Sequence, residues 1–61
     1  MRKWLIELRE KKNATQEQIA TLCGISRQYY GFIEQGTRNV PVKTAKKIAE
    51  VLGFDWQKFF E

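Results

Sequence analysis

Histidine is absent from this chain of 61 residues, and cysteine and proline occur once each. Without histidine the commonest metal ligand and general base are missing. A lone Cys23 can neither close an internal disulfide nor complete a zinc ligand set. No glycine pattern of the phosphate-binding or dinucleotide-binding kind is present, and no serine or cysteine has an evident partner base. Catalysis, a metal, a cofactor and a small-molecule substrate are therefore not expected. No apolar run approaches the roughly 18 residues that a bilayer span needs. The opening Met1-Arg2-Lys3 leads straight into a mixed-charge amphipathic pattern, which does not read as a signal peptide. The expected compartment is a reducing cytoplasm, where Cys23 serves as a small core hydrophobe. Strand signals are also absent.

Eleven Lys and Arg stand against seven Asp and Glu, a net charge of +4. A basic surplus favours polyanionic partners. Its meaning depends on where the basic groups lie, and the stretch Thr15 to Gly36 organises that question. Thr15 has the hydroxyl of an N-cap and Gln18, three residues on, completes a capping box. Ile19, Ala20 and Cys23 then form one inward face of about two helical turns. Gly24 admits a positive φ and ends this first helix. Ser26 caps a second, from Ser26 to Gln35, whose inward residues Tyr30 and Ile33 recur three apart before Gly36 stops it. Ala20 is small enough for the two helices to approach closely. A short helix, a glycine-containing turn and a second, crossing helix make a helix-turn-helix.

The flanks are helical too. Leu5, Leu8 and Arg9 share a face of a first helix, with Trp4 beside it packing against the core. Pro41 suits the first turn of a helix in which Val42, Ala45, Ile48, Ala49 and Leu52 form the inward stripe. Lys46 and Lys47 lie on its solvated side. Asp55 caps a last short helix carrying Trp56, Phe59 and Phe60. The expected fold is all-α, a compact bundle of five short helices in one domain, 1–61. Its core is Leu5, Leu8, Ile19, Ala20, Cys23, Tyr30, Ile33, Val42, Ala45, Ile48, Leu52, Trp56 and Phe59.

Gln16, Ala20, Gly24, Ile33, Glu34 and Gly36, with LxxLR at Leu5–Arg9 and KKIAEVLG at Lys46–Gly53, resemble the motif of lambda-repressor-like (Cro/cI-type, XRE family) DNA-binding domains of bacteria and phage. The resemblance runs from about Leu5 to Phe60. It implies a sequence-specific transcriptional regulator, a repressor, that places the helix from Ser26 to Gln35 in the major groove of double-stranded DNA. Asn13, Ala14 and Leu22 depart from the family pattern. Asn13 tolerates the left-handed conformation the position needs. Ala14 leaves a volume that Trp4 or Tyr30 would fill.

On this reading the outer side of the second motif helix does the work. Arg27 offers a donor fork to guanine and Gln28 pairs with an adenine edge, while Phe32 either meets a thymine methyl or covers the junction of the helix with its loop. Gln16, Ser26, Tyr29, Thr37, Arg38, Asn39 and Lys43 hold the sugar-phosphate backbone, with the Gln16 side chain bracing Arg27 or Gln28. Gly31 either admits the DNA backbone or makes room beside two tyrosines. Arg9, a charge on an inward face, needs a counter-charge, and the resemblance assigns it Glu34 as a structural ion pair. A single small domain offers too little surface for strong selective binding. A weak homodimer on an inverted-repeat operator is expected, with contacts from Phe54, Lys58 and Phe60. The competing reading is an antitoxin-like or other interaction module whose main partner is a protein, with Leu22, Phe60 and Trp4 as its adhesive surface.

Overall fold

Residues 1–61 are described by a computed structural model, in which four α-helices and one 3₁₀ turn account for all regular structure. They are α1 (Lys3–Lys11), α2 (Gln16–Cys23), α3 (Arg27–Gln35), α4 (Val42–Leu52) and the 3₁₀ turn Trp56–Phe60. None of the helices is long and apolar enough to cross a membrane.

Local chemistry sets most boundaries. After α1 the chain turns at Asn13 with φ +56°, a left-handed conformation that Asn tolerates through its short polar side chain. Both arms of the capping box open α2: Thr15 Oγ1 accepts from the Gln18 amide at 3.1 Å, and Gln18 Oε1 accepts from the Thr15 amide at 2.9 Å. Gly24, at φ +72°, closes α2, and the next amide, Ile25, reaches back to the Ala20 carbonyl at 3.0 Å. Ser26 Oγ then accepts from the Tyr29 amide at 3.0 Å and caps α3 after a three-residue break.

The core joins all the elements: Leu5 from α1, Ile19 and Ala20 from α2, Tyr30 and Ile33 from α3, Ala45, Ile48 and Leu52 from α4, and Phe59. Two expectations about α4 change. Val42 is 47% exposed, whereas Val40 is buried. The helix begins one residue later than the proline suggested, with Pro41 as its N-cap. Val42 therefore sits in the first turn, off the inward stripe. Val40, held extended by the proline after it, turns its side chain inward near Ala45, the arrangement of a hydrophobic staple.

Leu8, Cys23 and Trp56 are half-buried and stand at the margin of the core, not in it. The expected last helix is a 3₁₀ turn, capped by Asp55 Oδ1 on the Gln57 amide at 3.0 Å. Within it Trp56 meets Phe60 edge-on, with ring centroids 6.0 Å apart. Trp4 meets Phe54 and Phe59 edge-on, with ring centroids 5.1 and 5.2 Å apart. Each such pair contributes about 0.5–1.5 kcal/mol beyond its buried area. Phe54 is thus half-buried in this cluster, and Phe60 stays 53% exposed. Neither Trp4 nor Tyr30 fills the volume beside Ala14. It remains an open surface depression lined by Ala14, Thr15, Gln18 and Leu22.

Candidate nucleic-acid interface

With Tyr30, Ile33 and Glu34 buried, α3 leaves Arg27 and Gln28 exposed to solvent. Tyr29 and Phe32 flank them half-buried. Arg27 forms no ion pair within the chain. Two long polar side chains at the leading turn of a rigid helix, with no partner of their own, form an open set of donors and acceptors.

Behind this face lies a buried polar knot. Glu34 is 2% exposed, and Arg9 Nε donates to its Oε2 at 2.7 Å while Arg9 Nη2 donates to Oε1 at 3.3 Å. Arg9 Nη1 also donates to the Ala14 carbonyl at 2.9 Å, tying α1 to the start of the motif. A third donor is Gln16: its Nε2 reaches Glu34 Oε1 at 2.8 Å. The expected bracing of Arg27 or Gln28 by Gln16 is therefore replaced by an inward hydrogen bond. The reason is local, because a nearly dry carboxylate attracts an amide donor far more strongly than a solvated side chain does. Burial alone would raise the Glu34 pKa, but the hydrogen bonds from Arg9 and Gln16 outweigh it and hold the carboxyl below its ordinary range. The Tyr30 hydroxyl is buried near this carboxylate without meeting hydrogen-bond geometry. Burial, and then the Glu34 charge, push the Tyr30 pKa far above the usual tyrosine value.

Gly31 lies beside Gln16, and a Cβ built there would meet Gln16 Oε1 at 3.6 Å, an ordinary contact. Crowding by the two tyrosines is thus not what requires the glycine.

The loop after α3 folds back onto it. The Phe32 carbonyl accepts from the Gly36 and Thr37 amides at 3.0 and 3.2 Å and from Thr37 Oγ1 at 3.4 Å. Arg38 lays its guanidinium over the Phe32 ring, 5.3 Å from the centroid. Asn39 and Lys43 are exposed. Gln16, Ser26, Thr37, Arg38, Asn39 and Lys43 thereby come from the elements that flank α3 in sequence, at its two ends. Among the remaining cations, Lys47 faces Glu50 at 3.6 Å, and Lys46 lies over Trp56. Lys58 lies over the Trp4 ring, 5.3 Å from its centroid.

One positioning residue leaves no signal in the sequence. The Arg2 amide donates to the Glu34 carbonyl at 2.7 Å, and Arg2 Nη1 donates to the Ile33 carbonyl at 2.6 Å. Its guanidinium also lies over Phe59. Arg2 thus satisfies carbonyls that the end of α3 leaves open. A basic residue ahead of a helix has no periodicity or spacing that would disclose this.

Known proteins align along the whole of this arrangement. A family model described as helix-turn-helix matches residues 5–59. The uncharacterized HTH-type transcriptional regulator YqaF of Bacillus subtilis (strain 168) is 54% identical over 61 residues, all of this chain and 80% of that protein. An uncharacterized HTH-type transcriptional regulator of Archaeoglobus fulgidus is 38% identical over 60 residues, 98% of this chain and 84% of the relative. Control protein C.BamHI of Bacillus amyloliquefaciens is 44% identical over 43 residues, 70% of this chain and 53% of that protein.

Proposed function

The chain belongs to the XRE-type helix-turn-helix family of DNA-binding transcriptional regulators, and from that premise we propose that it is a sequence-specific repressor acting in the cytoplasm. The observation that carries this reading is the division of α3: Tyr30, Ile33 and Glu34 are buried, whereas Arg27 and Gln28 are exposed. The helix lies in the major groove with Arg27 and Gln28 leading. Arg27 donates two hydrogen bonds to a guanine edge, and Gln28 pairs with an adenine. Gln16, Ser26, Tyr29, Thr37, Arg38, Asn39 and Lys43 hold phosphates on either side and carry no sequence information themselves. Gln16 keeps a second amide hydrogen for a phosphate while the first engages Glu34. Repression follows from occupancy, because a domain seated in the groove denies that DNA to polymerase.

Selection of bound sequences from a random duplex library tests the reading. The expected product is an inverted repeat with half-sites about one helical turn apart. Gln28→Ala then relaxes preference at one position of each half-site, at about 1–3 kcal/mol, whereas Arg38→Ala weakens all duplexes nearly alike. A library that emerges without enrichment would remove sequence recognition from the account.

A further inference from the structure

Phe32 and Arg38 meet, ring and guanidinium, where the chain leaves α3; the other cation–ring contacts involve the rings of Trp4, Trp56 and Phe59, outside the helix-turn-helix. We infer that Phe32 is a positioning residue, whose ring holds the Arg38 guanidinium for a DNA phosphate in place of reading a thymine methyl. The inference rests on the DNA-binding reading above.

Three observations carry it. First, one face of the ring carries the guanidinium, 5.3 Å from the centroid. A thymine methyl seeking that face would have to displace a cation. Second, the backbone of the same residue organises the loop, since the Phe32 carbonyl accepts from the Gly36 and Thr37 amides and from the Thr37 hydroxyl. Arg38 is therefore brought over the ring by a turn that is itself hydrogen-bonded, not by a free tether. Third, stacking and phosphate binding use different parts of a guanidinium. The ring takes a face, while the five N–H donors point outward in the plane of the group, free to grip a phosphate bidentately. A solvated Arg38 in an open loop would sample many rotamers and lose that freedom on binding. One already stacked loses less, so the phosphate contact is preorganised.

The test is a double-mutant cycle on the full chain. Affinity is measured against salt for wild type, Phe32→Leu, Arg38→Ala and the double variant, on the selected duplex and on a scrambled one. Phe32→Leu keeps an apolar side chain but removes the ring. It is expected to weaken both duplexes about two- to fivefold, the range of an exposed cation–ring contact, and to leave the selected sequence unchanged. In the Arg38→Ala background the same substitution has little further effect. Phe32→Tyr, which keeps the ring, binds as wild type does. Relaxed base preference in Phe32→Leu, full additivity of the two losses, or a Phe32→Tyr loss as large as that of Phe32→Leu would each overturn the assignment. In the free protein, the Arg38 side-chain methylene protons should be shifted upfield by the Phe32 ring current and return on Phe32→Leu. Unshifted resonances in the wild type would overturn the stack without reference to DNA. A folded protein with shifted resonances that binds no duplex would overturn the DNA-binding reading instead, and the phosphate role with it.

Discussion

Glu34 is the residue on which the two halves of the molecule's chemistry meet. It neutralises Arg9 from α1 and accepts from Gln16 at the start of α2. Removing one member of a buried pair leaves the other unpaired, so Arg9→Met or Glu34→Gln is expected to destabilise the fold by about 3–5 kcal/mol. Urea melts of both variants check this, and unchanged midpoints would mean the pair contributes nothing. The folded Glu34 pKa lies below its ordinary value of 4.5. Its contribution is therefore complete above that value and is lost as pH falls through the lower, folded pKa. Wild-type stability should decline below about pH 4.5 more steeply than that of Glu34→Gln, as acid-to-neutral melts would show. That Arg9 needs a partner was legible from a charge on an apolar face, and the family resemblance pointed to Glu34. The partner Gln16 was not, because its backbone position at a helix start points outward and only the side-chain rotamer turns it in.

At the scale of elements, punctuation was easier to read than burial. Thr15, Gly24, Ser26, Gly36 and Asp55 each declare a boundary through local hydrogen bonding or a left-handed φ, and each occupies that boundary. The start of α4 shows why burial is harder. Periodicity assigns Val42 to the stripe containing Ala45, and a one-residue shift in where the helix begins sends it to solvent. Val40 lies outside any helix, so no helical pattern can select it. The exchange predicts that Val40→Ala costs about 1.5 kcal/mol, from two buried methyl equivalents, while Val42→Ala stays within about 0.5 kcal/mol. Denaturant unfolding of the two variants decides it, and equal losses would restore the stripe that periodicity drew.

The molecule as a whole measures 25 × 20 × 20 Å. One helical turn of DNA is about 34 Å long, so on the proposed reading one copy reaches a single half-site. Two copies on an inverted repeat need a surface for each other, and the closing aromatic end supplies candidates. Phe60 is the exposed large aromatic there, with Lys58 and the uncovered edge of Phe54 nearby. The packing of Phe54 and Phe59 on Trp4 was not legible, since Trp4 lies about 50 residues away in sequence and meets them only once the fold is complete. A weak dimer, monomeric when dilute and assembled cooperatively on DNA, is the expected behaviour. Sedimentation with and without the inverted repeat measures it, and Phe60→Ser should lower the cooperativity while leaving half-site affinity intact. A half-site duplex bound as tightly as the full repeat would leave each copy working alone.

Arg27 and Gln28 project from α3 into solvent, and Arg27 has no carboxylate partner in the chain, whereas Glu34 on the same helix is tied to two others. Address and architecture are thereby separated within nine residues. On the proposed reading, exchanges at positions 27 and 28 send the protein to a new operator without remaking the scaffold. Any exchange at 34 must be accompanied by changes at 9 and 16. Retargeting libraries confined to the leading turn of α3 should therefore return folded proteins at a high rate, with diversity expressed almost entirely as new addresses on DNA.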